Sequence, residues 1–136
     1  MYDTILVPIE FSHKNSGINA IRIAKKLIED GGEIILLNVM ADIPAFVEFV
    51  MPKDLLNEAK DRALAELTRI AKDEGIDPNV ELRSGHAADS ILRVAESHNV
   101  DLIIIASQQP GLSNYFLGST AARIVHHAVC PVLVDR

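Results

Sequence analysis

The feature that most limits how this chain can fold is a set of short, almost wholly apolar runs. Residues 102–105 are apolar at every position, residues 4–9 are mostly apolar and β-branched, and residues 33–39 are apolar at five of seven positions. A run this short and this apolar is typical of a strand that is buried on both faces, as in a parallel sheet. We therefore predict strands at these runs and another at residues 131–134.

Segments with the helical spacing of apolar residues separate these runs. The first helix carries apolar residues from Ala20 to Ile28, and the pair Gly31-Gly32 is expected to end it. Further helices are predicted at residues 52–74, 87–97 and 121–128, a half-exposed edge strand at residues 79–83, and a loop at residues 40–51. Strands that alternate with amphipathic helices predict an α/β domain with a mostly parallel sheet and helices on both faces.

The overall charge and composition narrow the classes of function. Thirteen basic against nineteen acidic residues give a net charge of −6, which argues against a nucleic-acid surface and a polybasic membrane anchor. No apolar run approaches the roughly 18 residues of a membrane span, and the first residues lack a secretory signal pattern. The single cysteine, Cys130, fits a reducing compartment. We expect one cytoplasmic domain, residues 1–136, with neither nucleic acid nor membrane as a partner.

Two loops follow strand ends where an α/β sheet binds its ligands. Such ligands lie outside the carboxyl ends of strands, where the winding reverses. The candidate loops are residues 8–12 and 107–119, which face each other if the first and fourth strands are neighbours. Gly118-Ser119-Thr120 opens the helix after the second loop, where unpaired N–H groups and the helix dipole attract an anion. Serine and threonine are also favoured helix caps, so these residues fit either a cap or a phosphate site.

Four segments carry a resemblance to a known family. They are ILVPIEFS at residues 5–12, LLNV at 36–39, SGHAADSIL at 84–92, and LGSTAARIVHHAVCPVLV at 117–134. In this order and spacing the chain resembles the universal stress protein family over essentially its whole length. The resemblance implies a three-layer α/β sandwich with four helices and a five-stranded parallel sheet of order 3-2-1-4-5. It also implies ATP as the ligand and a homodimer paired through the last strand.

The nucleotide loop departs from the family's pattern, which is Gly-x2-Gly-x9-Gly-Ser/Thr. Gly118-Ser119 keeps the last element, but Ala106 stands in place of the first glycine and Gln108 or Gln109 in place of the second, and the loop is one residue short. Family members that lost these glycines tend not to bind ATP. The chain is also similar to a branch with a Ser-x-x-Pro turn, here residues 107–110, which includes ATP-binding members. Two functions stay open: an ATP-binding stress-response sensor or regulator, and a nucleotide-free dimeric interaction module.

The resemblance assigns a role to each residue of the predicted nucleotide site. An adenine slot would be lined by Pro8, Ile9 and Val39, although each of them could instead be a core residue. Glu10 stands where the family usually has aspartate, and its carboxylate could accept hydrogen bonds from ribose hydroxyls or simply be solvated. The remaining candidates flank the ribose and the phosphates: Ala106, Ser107, Gln108, Gln109, Gly118, Ser119 and Thr120.

The sequence gives little sign of catalysis or of a protein-held metal. The lysine of a Walker loop is absent, so at most slow ATP hydrolysis is expected, and no catalytic residue is assigned. His126 and His127 are adjacent on a helix and point about 100° apart, so they are poorly placed to share an ion. Mg²⁺ is expected only as a companion of ATP. The loop at residues 40–51 could fold over the nucleotide, form an oligomer contact or pack on its own helix.

Overall fold

The computed structural model describes residues 1–106 and 117–136, and within them the strands form one parallel sheet of order β3-β2-β1-β4-β5. The strands are β1 (Tyr2–Pro8), β2 (Ile28–Met40), β3 (Val80–Ser84), β4 (Leu102–Ala106) and β5 (Val132–Asp135). The helices are α1 (Lys14–Leu27), α2 (Ala45–Val50), α3 (Lys53–Asp73), α4 (Ala87–Ser97) and α5 (Ser119–His127), with a 3₁₀ turn at Phe11–His13 before α1. The predicted fold class and strand order are confirmed.

Each face of the sheet carries its own hydrophobic core, because successive strand residues point to opposite faces. Ile5 and Val7 pack with α1 and α3 on one face. Leu6 and Leu37 pack with α4 and α5 on the other. The result is three layers, with the buried central strands between two layers of helices.

The direction of winding changes between β1 and β4. These strands are paired in parallel, with Ile5 opposite Leu102 and Leu6 opposite Ile103. The helix after β1, α1, packs on one face, and the helix after β4, α5, packs on the other. In sheets of this kind the ligand crevice lies where the chain segments leave in opposite directions, which here is at the carboxyl ends of these two strands. The expectation that the first and fourth strands are neighbours is confirmed.

The prediction that Gly31-Gly32 ends the first helix is wrong. Helix α1 ends at Leu27, and the chain is already in β2 at Ile28, which pairs with Tyr2 ahead of a register shift. Gly31 has a φ of 81°, in the left-handed region. A Cβ on Gly32 would lie 2.8 Å from the Asp3 carbonyl oxygen. The glycines therefore allow β2 to approach β1 closely at this irregularity.

The loop predicted at residues 40–51 contains the short helix α2, so the fold has one more helix than the resemblance implied. Pro44 and Pro52 are the N-cap residues of α2 and α3, and their carbonyl groups accept the first backbone hydrogen bonds of those helices. Proline suits a helix start because its missing N–H is not needed there. None of the α2 residues is buried, so the apolar pattern that marks a core-facing helix was absent from the sequence.

The amino ends of β1 and β4 are joined by the Asp101 side chain. Its carboxylate accepts hydrogen bonds of 2.9 Å from the backbone N–H groups of Asp3 and Thr4. Desolvation favours the neutral carboxyl, but the backbone N–H donors outweigh it and hold the pKa of Asp101 below its ordinary value of 3.8. The charged form therefore stabilises the junction of the two strands that border the crevice.

We expect Asp101→Asn to lower the free energy of unfolding by about 1 kcal/mol at pH 7, a modest figure because the carboxylate is only partly buried. Since the folded-state pKa is lowered, the stabilisation is present above pH 3.8 and is lost as the pH falls through the folded-state value. Urea unfolding of both proteins at several pH values checks this. A difference that stayed constant from pH 7 to about pH 2.5 would contradict it.

Candidate functional site

The turn after β1 is held by the end of β2. The Ile9 N–H donates to the Leu37 carbonyl oxygen at 2.7 Å, and the buried Asn38 Nδ2 donates to the Ile9 carbonyl oxygen at 2.8 Å. The Ile9 side chain is buried, and a Cβ on Gly17 would lie 2.8 Å from its Cδ1, so the start of α1 sits tightly against it. This turn is therefore fixed by hydrogen bonds on its backbone and by packing on its side chain.

The predicted adenosine residues surround this fixed turn. Pro8 is the half-buried last residue of β1, paired with Leu37, and Glu10 is exposed just beyond it. Val39 is half-buried and packs against the core on the α4–α5 face. The Ile9 side chain is a core residue, and its N–H and carbonyl groups are already bonded to β2. What Ile9 can still offer the predicted adenine slot is the second lone pair of its carbonyl oxygen. The exposed Glu10 carboxylate remains open to a ligand in the crevice.

Asn38 is a positioning residue that the sequence reading missed. In the sequence it is one polar position in an apolar strand. Its relative exposure is 8%, and its amide is the donor that satisfies the Ile9 carbonyl group. A buried amide must find partners, because an unpaired polar group in a core is costly. A lone asparagine at the carboxyl end of a buried strand was the available signal.

The phosphate end of the predicted site begins at Ala106, the half-buried last residue of β4. Ser107, Gln108 and Gln109 lie outside the described residues. The chain is described again from Leu117, and Gly118 is the N-cap residue of α5, with its carbonyl group accepting from the Ala122 N–H at 2.9 Å. The structure thus places Ala106 and Gly118 at the two ends of the nucleotide loop.

No side chain of residues 1–106 or 117–136 caps the start of α5. Gly118 itself occupies the N-cap position, Ser119 is the exposed first helical residue, and Thr120 is half-buried. Neither hydroxyl group lies at the position where serine or threonine caps a helix. Gly118 thus caps the helix through its backbone, while the Ser119 and Thr120 hydroxyl groups take no capping part, so both interpretations of Gly118-Ser119-Thr120 stay open. The first N–H groups of α5 have no intrahelical partner, as at any helix start.

The fold gives no reason for a glycine at position 118. Its φ of −60° and ψ of 156° are available to any residue. Among the residues that the structure describes, no heavy atom lies within 4 Å of a Cβ built there. This contrasts with Gly32, where the neighbouring strand leaves no room. Space beside a helix start is what an anion needs.

A cavity of about 540 Å³ lies beside the adenosine end. It is bounded by the carboxyl ends of β2 and β3 and by the segment from Ala41 through α3, and the residues lining it are Phe11, Asn38, Met40, Ala41, Asp42, Ile43, Glu48, Leu56, Ala59, Lys60, Arg62, Ala63, Glu66 and Ser84. Asn38 and Met40 flank Val39 in β2. Its size is within the range of small-molecule sites. None of the predicted site residues within the described ranges lines it, so among those residues it adjoins the predicted site without including Ala106 or Gly118.

Comparison with known proteins settles the family. The model of the universal stress protein family matches residues 1–136. This chain belongs to the universal stress protein family. Universal stress protein G of Escherichia coli O157:H7 is 31% identical over 151 aligned positions that cover 100% of both chains.

Solved structures of similar proteins share the fold. The hypothetical protein MJ0577 superimposes with a TM-score of 0.79 at 29% identity, covering 98% of this chain and 95% of its own. A universal stress protein solved in complex with cAMP superimposes with a TM-score of 0.69 at 21% identity, covering 99% and 97% of the two chains. The predicted family is confirmed, and its α/β architecture is common to these proteins.

In this universal stress protein, the described residues offer little to a metal on their own. Residues 1–106 and 117–136 contain no group of three or more histidine, cysteine, aspartate or glutamate side chains placed to hold an ion. Mg²⁺ commonly keeps several waters and binds through phosphates and one or two carboxylates, and the exposed Glu10 is a carboxylate beside the crevice. Burial raises the pKa of the Cys130 thiol, which disfavours the thiolate that metals bind.

No helix in the described ranges is both long and apolar enough to cross a membrane.

Proposed function

We propose that this universal stress protein binds ATP in the crevice between the carboxyl ends of β1 and β4 and acts in the cytoplasm as a sensor or regulator of the stress response. The observation that carries the proposal is the reversal of winding between these strands. It is supported by the start of α5, where Gly118 is the N-cap residue and no described atom lies within 4 Å of a Cβ built on it. In sheets of this kind ligands bind where the winding reverses. The proposed binding unit is the single domain of residues 1–136.

The phosphates would lie at the start of α5. The backbone N–H groups there have no intrahelical partner and form the positive end of the helix dipole. A phosphate would accept hydrogen bonds from these groups and place its negative charge at that positive end. Gly118 presents no side chain, the Ser119 hydroxyl group is exposed, and that of Thr120 is half-exposed. Hydrogen bonds to a charged phosphate are stronger than those between neutral groups. These three residues are therefore the proposed phosphate contacts.

The adenosine would occupy the other side of the crevice. Pro8, the Ile9 backbone and Val39 would contact adenine, and Glu10 would accept hydrogen bonds from the ribose hydroxyls. The ribose and α-phosphate would pass Ala106, Ser107, Gln108 and Gln109. Mg²⁺, where it accompanies ATP, would be held mainly by phosphate oxygens and water, with Glu10 as the nearest proposed carboxylate. No group is proposed for efficient phosphoryl transfer.

Isothermal titration calorimetry with ATP, ADP, AMP and cAMP, each with and without Mg²⁺, tests the proposal. The relative solved with cAMP has the same fold, which is a reason to include that nucleotide. We expect ATP to bind, with weaker binding of AMP because it makes fewer phosphate contacts. Failure of all four nucleotides to bind at millimolar concentration would remove the proposal and leave the nucleotide-free interaction module as the function.

The free edge of β5 favours a homodimer, which both functions share. β5 is the last strand of the sheet, and the Ile103 N–H donates to the Pro131 carbonyl oxygen at 3.0 Å. In a parallel ladder this places the N–H groups of Leu133 and Asp135 toward β4 and those of Val132 and Val134 toward the outside. An apolar strand with outward N–H groups is a template for a second copy. We therefore propose pairing of β5 with β5 of another protomer.

Val134→Pro is expected to break this pairing while preserving the fold. Proline removes an outward N–H group and is tolerated on an edge strand, so the hydrogen bonds to β4 remain. Sedimentation equilibrium should show the wild-type protein associated as a dimer or a larger species at micromolar concentration, and the variant with a weaker association. A wild-type protein that is monomeric under these conditions would contradict the proposed β5 pairing.

A further inference from the structure

Helix α2 carries its apolar side chains on the outside of the molecule. Phe46, Phe49 and Val50 are 75%, 91% and 76% exposed. Their spacing of three and four residues places them on one face of the helix. The charged residue of α2, Glu48, lines the cavity instead. The polarity of this helix is therefore the reverse of that of a helix that packs on its own core.

A helix of this kind is expected to be only marginally stable unless another surface covers its apolar face. Helix α2 has six residues, from Ala45 to Val50, and none of them is buried. Isolated helices shorter than about 12 residues are marginal in water, and most helical stability in proteins comes from packing of an apolar face. Pro44 helps to start the helix, but no described part of the chain packs over Phe46 and Phe49 to bury them.

The exposed apolar area is large enough for an interface. Leu55, in the first turn of α3, is a further 50% exposed. We call Phe46, Phe49, Val50 and Leu55 the outer stripe. Taking about 200 Å² for each phenylalanine and about 150 Å² for valine and leucine, the outer stripe exposes about 500 Å² of surface. Two such stripes facing each other would bury about 1,000 Å², the lower limit of a specific protein–protein interface.

We propose that the outer stripe is a self-association surface that packs against the outer stripe of a second copy of this chain. A two-fold contact brings the same residues together from both sides, and an uncharged apolar stripe meets its own copy without charge repulsion. A lipid surface fits less well, because the chain has a net charge of −6 and α2 contains no lysine or arginine. A contact at this lower size limit is typical of weak, transient association.

This surface is distinct from the proposed pairing of β5. Helix α2 follows β2, and its Glu48 lines the cavity at the carboxyl ends of β2 and β3. β3 is at one edge of the sheet, and β5 is at the opposite edge. A protomer would thus have a separate two-fold contact near each edge. Neither contact involves the crevice, so the inference does not depend on nucleotide binding.

The first experiment measures association with the β5 contact removed. Sedimentation equilibrium of Val134→Pro from about 1 to 200 µM should show a concentration-dependent dimer. Adding Phe46→Ser and Phe49→Ser should abolish it, and the melting temperature should fall little because neither side chain is buried. The matched control adds Val125→Ser and Val129→Ser, two residues that are 48% and 97% exposed elsewhere, and should still dimerise. A Val134→Pro protein that stays monomeric, or equal dimerisation of all three proteins, would overturn the proposal.

The second experiment does not depend on the proline variant. In a Cys130→Ser background, Phe49→Cys places one thiol on the outer stripe, and Glu96→Cys places one on the exposed face of α4. A two-fold contact uses the same patch on both protomers. Because the outer stripe is small, its pairing would keep the two copies of residue 49 near each other, so mild oxidation should give a disulfide-linked dimer with Phe49→Cys at least about 10-fold faster than with Glu96→Cys. Equal rates would overturn the proposal. A membrane role would overturn it as well. The signs would be that the Phe49→Cys dimer does not form, that the wild-type protein floats with anionic vesicles, and that the Phe46→Ser/Phe49→Ser protein does not.

Discussion

Gly118→Val is expected to weaken ATP binding by about 100-fold while costing about 1 kcal/mol or less in the free energy of unfolding. The valine side chain would fill the space beside the first N–H groups of α5, so that a phosphate could no longer approach them. Loss of two charge-assisted hydrogen bonds of about 1.5 kcal/mol each corresponds to this change in affinity. The fold itself tolerates the change, because the backbone at position 118 is in an ordinary conformation and no described atom obstructs a Cβ. Only the weaker helix capping of valine adds a cost.

A companion variant, Gly118→Asp, separates the binding effect from stability. Aspartate is a favoured N-cap residue and carries a negative charge at the positive end of the helix. We therefore expect a small gain in stability together with loss of ATP binding, because the carboxylate would take the place of the phosphate. Calorimetric titration and urea unfolding of the two variants give both quantities. If Gly118→Val bound ATP as tightly as the wild-type protein, the helix start would not be the phosphate site.

Asn38→Ala is expected to lower the free energy of unfolding by about 2 kcal/mol and to weaken ATP binding as well. The substitution removes the donor of the 2.8 Å hydrogen bond to the Ile9 carbonyl oxygen, in a place where Asn38 is buried. A buried carbonyl group left without a partner costs about 1–3 kcal/mol. The turn that carries Glu10 also loses one of its two backbone anchors, so the adenosine end should become less ordered.

Asn19→Ala is the matched control for this prediction. Asn19 Nδ2 donates to the Asp135 carboxylate at 2.6 Å, but this hydrogen bond is exposed. Water can replace the lost partner, so we expect a change of less than about 0.5 kcal/mol. Urea unfolding of the two variants makes the comparison. Similar losses for Asn38→Ala and Asn19→Ala would show that the buried amide does not hold the turn.

The central strands and the strand order could be predicted because burial on both faces leaves a clear mark on a sequence. Residues 102–105 are apolar throughout, and the structure buries all four of them. The site was harder to predict, because Ile9 and Asn38 act through contacts made across the sheet rather than along the chain. Whether Pro8, Glu10 and Val39 contact a nucleotide stays a prediction, as does the role of Gln108 and Gln109, which lie outside the described residues.

Two errors have a common physical cause, which is that local signals were interpreted without their tertiary neighbours. Glycine commonly ends helices, but Gly32 is needed where the Asp3 carbonyl group approaches it. Similarly, residues 45–50 do not show the polar–apolar pattern of a helix that packs on its own core. Their apolar stripe faces outward, so the pattern indicated a loop. A search for apolar spacing without an assumed inward direction would have identified α2.

The burial of the strands has a consequence for how this architecture can diversify. β1, β2 and β4 contain residues without solvent exposure, whereas no residue of β3 or β5 is buried. Substitutions in the central strands therefore disturb the hydrophobic core on one face of the sheet or the other. Substitutions in the edge strands β3 and β5 mostly change the surface that contacts other molecules. A few surface substitutions can consequently change how the protein assembles without altering the central strands or the crevice in which nucleotide binding is proposed.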